Sequence, residues 1–277
     1  MAEKPYLSPT QIDSYTRCGE AYRRRYVEKE RIPPGIALLK GSSVHKGAEI
    51  NNLQKLTTHH DLKAQEIVDV AAADFDQRAN KEAVTLTEED ESRGKSIVLG
   101  EALDSTVRMA GAYAEKVAPK YQPQLVESRQ KIEVPEAAHD LLAILDLVDD
   151  KDAVVELKTA GKTGKQDDWD SSVQLTIQAL TMVAAKGKMP SALKVEQIVD
   201  LKSGPKVVSW ETHRSKPDFD ALIQRYSAVS KAITTGVFTP ATPGAWWCSS
   251  KFCGYWRTCP YVNSERKEAA AKAELGG

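Results

Sequence analysis

The sequence predicts an α/β (or α+β) fold: a mixed central sheet flanked by helices, with a mainly helical N-terminal part and a cysteine-rich C-terminal segment. Three observations predict it. Helical periodicity fills most of the first 120 residues. Strand-like runs then gather between residues 124 and 212, interrupted by one helical stretch. Three of the four cysteines, Cys248, Cys253 and Cys259, crowd the end of the chain, in "WWCSSKFCGYWRTCP".

The elements follow in order. In "LSPTQIDSYTRCGEAYRRRYVEK", Ser8 caps a helix, Pro9 suits its first turn and Gln11 completes a capping box. Ile12, Tyr15, Gly19, Tyr22 and Tyr26 fall on one face, predicting a single helix through Tyr26 that "IPPG" closes. A second helix is expected from about Ser42 to Leu56, with His45 and Glu49 one turn apart, and acidic, alanine-rich helices over 61–83 and 88–118. Strands begin at "QLVESRQKIEV" and continue through "LLAILDLVDDKDAVVELKTAGKTGK", Leu141 to Lys165. "SSVQLTIQALTMVAAKG" is a helix capped by Ser171 or Ser172 and stopped at Gly187. "LKVEQIVDLKSGPKVVSWETHR" is a hairpin turning at Ser203-Gly204-Pro205, and Pro217 to Thr235 is a further helix. The expected organisation is a single domain over 1–263, helical to 120, a sheet core over 121–215, and a helix with the cysteine segment over 216–263. A helical or frayed tail follows over 264–277.

Composition bounds the function. At 277 residues the chain can bury a full core, and 41% hydrophobic with 28% charged residues is ordinary for a globular protein. No apolar run reaches membrane-spanning length, and charges throughout the first thirty residues leave no secretory signal, so a cytoplasmic protein without a membrane partner is expected. The net charge of −1 gives no global hint of nucleic acid, but residues 1–46 carry nine Lys/Arg against five acids. That excess is a solvated face or a phosphate-facing patch. Cysteines grouped as one early and three late in a reducing compartment favour metal or cluster ligation over disulfides.

The charged hairpin is the most informative stretch. Lone charges inside an apolar strand pair cost several kcal/mol unless neutralised. Side chains alternate along strands, so Ile144, Asp146 and Val148 share one face, as do Val154, Glu156 and Lys158. Pairing 148 with 154 places Asp146 opposite Glu156 and leaves a three-residue loop, Asp150-Lys151-Asp152. Two carboxylates side by side, with a lysine two residues on, suit Mg²⁺ or Mn²⁺ and phosphodiester hydrolysis; a polar strand edge with a salt bridge is the plain alternative. "GKTGK" imitates a phosphate-binding loop, but the glycine required five positions before Gly161 is Glu156, so an ATPase is not expected. Lys162 and Lys165 remain candidate DNA contacts on a mobile loop.

Taken in order, "GSSVHKGAE" (Gly41, His45, Glu49), Asp146, "ELK" (Glu156, Lys158) and "VQLTIQ" (Gln174, Gln178) resemble the PD-(D/E)xK nuclease superfamily, in particular its RecB-like branch. With Cys18 and the terminal trio, the chain is similar to the iron–sulfur subgroup of CRISPR-associated, AddB-type and phage exonucleases. The resemblance runs from about Leu7 to Cys259. It departs at Leu145, where proline is usual, at Gln178, where tyrosine is usual, at Gly19, and in a C-x4-C-x5-C spacing.

The resemblance implies a restriction-endonuclease-like core and a metal-dependent DNA exonuclease acting on single strands or DNA ends, in recombination, repair, phage or CRISPR-type processing. A catalytically silent DNA-binding or scaffold subunit is the alternative. His45, Asp146, Glu156 and the Leu157 carbonyl would hold Mg²⁺ or Mn²⁺, with Lys158 as catalytic lysine and Gln174 supporting it or contacting the DNA backbone. Cys18, Cys248, Cys253 and Cys259 would hold a 4Fe–4S cluster, or Zn²⁺ in its place. Arg17, Arg23, Arg24 and Arg25 would guide DNA. A recombinase, helicase or integrase partner, in a bacterial cell or phage-infected host, fits this reading. The aromatics around the late cysteines would pack over the sulfurs or stack on bases.

Overall fold

The computed structural model describes residues 4–81 and 83–275. The sheet core has six strands: β1 (Tyr6–Leu7), β2 (Pro123–Ile132), β3 (Asp140–Asp149), β4 (Val154–Ala160), β5 (Leu193–Val199) and β6 (Lys206–Thr212). β3 carries β1 in parallel at its start (Tyr6 with Asp140), β2 antiparallel along its length and β4 antiparallel at its end. β4 and β5 are parallel, and β5 and β6 antiparallel, which makes the sheet mixed. The predicted architecture of a mixed sheet flanked by helices is present. The two-residue β1 is too short to carry a sequence pattern.

Helices surround the sheet: α1 (Pro9–Arg17), α2 (Gly19–Tyr22), α3 (Ile36–Thr58), α4 (Ala64–Lys81), α5 (Glu88–Arg93), α6 (Lys95–Lys116), α7 (Gln166–Asp170), α8 (Val173–Lys186), α9 (Lys216–Thr234) and α10 (Ser264–Leu275). One core cluster packs α3 and α6 on the sheet through Val44, Met109, Tyr113, Leu147, Leu157 and Ile198. Another packs α1, α8 and α9 through Ile12, Ile177, Leu222 and Tyr226. The β4–β5 parallel pair needs a crossover, and α7–α8 supply it. Ser172 caps α8 by accepting from the Leu175 amide, and Gly187 ends it in the left-handed region (φ 68°).

Three predicted helices differ from the structure. The first breaks at Cys18, whose extended backbone (φ −162°, ψ 105°) ends α1 and starts α2; a π-helical turn then runs from Arg23 to Val27. The expected apolar face survives the break, because Ile12, Tyr15, Tyr22 and Tyr26 all join one cluster. The stretch 88–118 divides at Gly94, which adopts φ 88°. The third begins at Ile36, well before Ser42, and the short α7 is a helix that the sequence reading did not place. The tail is helical to Leu275; residues 276 and 277 lie outside the described residues.

Gly19 is where the N-terminal helices meet the segment after α9. Its amide donates to the Thr239 carbonyl at 2.7 Å, and an added Cβ would lie 2.7 Å from the Thr239 nitrogen and 2.8 Å from the Phe238 carbonyl carbon. Backbone cannot yield as a side-chain tip can. Gly19→Ala is expected to cost about 1–3 kcal/mol, read as a lower urea midpoint at unchanged m.

Candidate active site

The β3–β4 hairpin has the register that the sequence predicts. Val148 pairs with Val154 and Leu147 with Val155, which sets Asp146 opposite Glu156. The Asp149 amide donates to the Ala153 carbonyl at 3.0 Å, closing the three-residue loop, and Asp152 takes the left-handed conformation (φ 62°) that such loops use. On the other side of β3, Ser128 pairs with Leu145 and Val126 with Leu147, so Glu127 falls opposite Asp146. Three neighbouring strands therefore carry one row of acids: Glu127, Asp146 and Glu156.

Helix α3 crosses above this row. An added Cβ at Gly41 would sit 2.8 Å from Thr159 Oγ1, so glycine lets α3 approach the end of β4. One turn on, His45 Nδ1 stands 3.7 Å from Asp146 Oδ2. His45, Glu127 and Asp146 each offer a donor atom, all within 4.8 Å of one another. The Leu157 amide donates to Asp146 Oδ2 at 2.9 Å. Glu49, one turn beyond His45, is held by Lys46 at 2.9 Å and also borders the cleft.

Glu156 is buried and fully engaged. Its Oε1 accepts from Lys158 Nζ (2.6 Å) and Gln174 Nε2 (2.6 Å), and its Oε2 accepts from Gln178 Nε2 (2.7 Å). Gln174 Oε1 accepts from Lys158 Nζ at 2.8 Å, so one amide fixes both acid and lysine. Gln178 also donates to the Ile144 carbonyl, tying α8 to β3. Glutamine thus occupies the tyrosine's usual place and does so as a donor to the acid.

The electrostatics describe a site short of positive charge. Burial and then the neighbouring Glu156 raise the Asp146 carboxyl well above the usual range. Burial, with Glu49 and Glu156, pushes Glu127 up to about 7, against the pull of Lys46. Burial lowers His45, keeping its ring neutral and able to ligate. Burial opposes the charge on Lys158, but Glu156 outweighs it and holds the ammonium form.

Nitrogen and carboxylate donors converging on raised, repelling acids fit a hard or borderline divalent cation. Cation binding must then displace protons. Mn²⁺ affinity is expected to rise from pH 6 to pH 8, as Glu127 titrates from mostly protonated to mostly ionised, with proton uptake by the buffer seen in calorimetry. A pH-independent affinity would show that these carboxyls are already ionised.

The other predicted residues fall in three places. Cys18, Cys248, Cys253 and Cys259, all free, line one cavity of about 710 Å³ between α1–α2 and the C-terminal segment. Among the described residues, no three of these sulfurs stand as close together as the His45–Glu127–Asp146 donors. Trp256, a wall of the same cavity, is buried with its Nε1 unpartnered, which fits a sulfur-rich occupant. Arg17 and Arg25 also line the cavity. Arg23 is paired with Glu20 and Glu28, while buried Arg24 is paired with Glu30 and donates to Thr258 and the Tyr255 carbonyl. Both arginines are occupied in holding the fold, Arg24 by joining the π-turn to the cysteine segment. Lys162 and Lys165 are exposed, on a loop tied to Gln197 through the Gly164 amide (3.0 Å) and the Lys162 carbonyl (3.2 Å).

Glu127 is the site residue that the sequence reading missed. An isolated acid in "QLVESRQKIEV" carries no motif, and only the β2–β3 register places it beside Asp146.

The sequence profile of the PD-(D/E)XK nuclease superfamily matches residues 6–260. The chain belongs to that superfamily. The crystal structure named "Putative exonuclease", from Eubacterium rectale, is similar to the nuclease at TM-score 0.55 and 13% identity, covering 94% of this chain and 90% of the other. At that identity it supports the fold. The crystal structure of SSO0001 aligns at TM-score 0.44 and 13% identity, covering 95% of this chain and 90% of the other. No curated protein matches the nuclease in sequence. Among its described residues, no helix is long and apolar enough to cross a membrane.

Proposed function

We propose that this nuclease is a divalent-metal-dependent DNA exonuclease of the RecB-like branch, acting on single strands or DNA ends. The row Glu127–Asp146–Glu156, with His45 above it and Lys158 beside it in a cleft of about 810 Å³, carries the reading. His45, Glu127 and Asp146 would hold the cation, with the Leu157 carbonyl as a further donor, and Glu156 would join them by exchanging one of its Lys158, Gln174 and Gln178 contacts for the ion. Bound there, Mg²⁺ or Mn²⁺ would supply Lewis acidity toward the phosphate and help generate a water nucleophile. Lys158, kept protonated by Glu156, stabilises charge developing on the phosphate oxygens. Gln174 holds the Lys158 ammonium in line by its 2.8 Å contact, and Gln178 fixes the orientation of Glu156. The open cleft admits a strand; Arg17, Arg25, Lys162 and Lys165 supply exposed or cavity-lining cations for its phosphates.

The four cysteines are assigned a 4Fe–4S cluster in preference to zinc. The cavity of about 710 Å³ that the four cysteines line has room for the larger group. A cytoplasmic protein working with a recombinase, helicase or integrase completes the proposal.

End-labelled digestion tests it. Holoprotein with Mn²⁺ should shorten 5′- and 3′-labelled DNA from one end, while Asp146→Ala binds the same DNA and leaves it intact. Metal-independent cutting, or none by the wild type, would remove the proposal.

A further inference from the structure

We propose that Trp246 and Phe252 form a stacking platform for the bases of single-stranded DNA that runs from the catalytic cleft past the cysteine-lined cavity. The inference rests on the DNA-nuclease reading above and adds a strand path to it.

The aromatics of the cysteine segment differ in exposure, with Trp247 half-buried between two extremes. Tyr255 and Trp256 are buried, at 7% and 5% exposure. Trp246 and Phe252 stand out at 62% and 56%, so core packing does not account for them. They are nonetheless held in place. Their rings meet edge to face, with centroids 4.9 Å apart at 84°, and Trp246 meets Trp247 in the same way at 5.6 Å. Trp247 Nε1 donates to the Arg17 carbonyl at 3.2 Å, which fastens the group to the end of α1. The Phe252 amide closes a turn onto the Ser249 carbonyl. Two exposed, pre-oriented rings offer faces at little entropic cost.

Position points to the occupant. The catalytic cleft and the cysteine cavity share Thr10, Leu38, Ser42 and Arg78 as walls, so the two are continuous. Phe252 and Trp247 wall the same cavity. Leu38, 60% exposed on the shared wall, is an apolar landing between the site and the platform. Lys251 Nζ lies 5.7 Å from the Phe252 ring, and Arg17 and Arg25 line the cavity, so cations accompany the apolar surfaces along the route. Aromatic and cationic groups on one continuous surface match a strand that presents base faces on one side and phosphates on the other. A duplex hides those faces in its own stack.

Fluorescence anisotropy of holoprotein on oligo-dT, with Ca²⁺ to suppress cutting, provides the test. Oligonucleotides of about four and about fifteen nucleotides are compared, the longer able to span cleft and platform. Trp246→Ala and Phe252→Ala should each weaken binding of the longer strand about tenfold, and binding of the shorter less than about twofold. A duplex of the longer length should bind both variants as it binds the wild type. Trp246→Phe should recover most of the loss, and unchanged visible absorbance and thermal midpoint would exclude misfolding. Unchanged affinity of the alanine variants for the longer strand overturns the platform and leaves the rings to a protein partner. Equal losses on both lengths overturn it as well, by making the effect general. A wild type that neither binds nor cuts DNA fails the nuclease reading itself, whatever the variants do.

Discussion

Lys158→Ala is expected to lower kcat on DNA by about 10²–10³-fold while leaving Mn²⁺ affinity within a few-fold of wild type. The lysine is expected to act on charge that develops only during the reaction, so its loss falls on kcat and not on binding. Glu156 is the complication, because Lys158 Nζ is one of its three donors. Removing the ammonium leaves the buried Glu156 carboxylate with Gln174 and Gln178 alone, at a structural cost of its own. Lys158→Met keeps the bulk of the side chain, so equal kcat in the methionine and alanine variants excludes lost packing, and a thermal midpoint close to wild type in both separates the loss of catalytic charge from the cost to Glu156. Stopped-flow cleavage beside calorimetric Mn²⁺ titration reads both quantities. A fall in Mn²⁺ affinity that matches the fall in kcat would instead make Lys158 a positioning group for the cation site.

Cys18→Ser is expected to abolish the brown absorbance of the purified protein and to lower Tm by about 10 °C or more. Cys18 sits in the break between α1 and α2, and the three cysteines proposed to share a cluster with it lie beyond residue 247, so ligation would close most of the chain into one loop. Closing a loop of that length contributes about 5 kcal/mol on chain entropy alone. For a chain of this size that amount corresponds to a shift of roughly 10–20 °C. The clamp does not act alone. Arg24 bridges to Thr258 and the Tyr255 carbonyl, Tyr255 donates to the Glu30 carbonyl at 2.6 Å, and Gly19 bonds to Thr239. These contacts should keep the Cys18→Ser protein folded at low temperature, so that far-UV circular dichroism persists while colour is lost. Zinc content equal to one per chain, with no iron, would replace the cluster by zinc and keep the clamp.

What the sequence made legible was what short-range rules govern. The hairpin register followed from two-residue alternation and a loop length with few solutions, which is why Asp146 and Glu156 emerged as neighbours. The α8 boundaries followed from Ser172 and Gly187, each with a local capping reason. What escaped was set by distant partners. Glu127 depends on the β2–β3 pairing, and its carboxylate joins the site only through that long contact. The break at Cys18 is invisible to periodicity because both fragments present their apolar residues to one cluster. Arg23 and Arg24 read as a basic patch in one dimension, yet Glu20, Glu28 and Glu30 neutralise them in three. A charge count cannot distinguish a free arginine from a paired one.

His45, Glu127 and Asp146 converge beside Glu156 and Lys158, where they are proposed to hold a catalytic cation. A crystal grown or soaked in Mn²⁺, with data collected at the manganese absorption edge, tests it most directly. The account predicts an anomalous peak in bonding contact with Asp146 and at least one of His45, Glu127 and Glu156, lost in Asp146→Ala. No peak in the cleft of a well-soaked crystal, or one that survives Asp146→Ala unchanged, would contradict it.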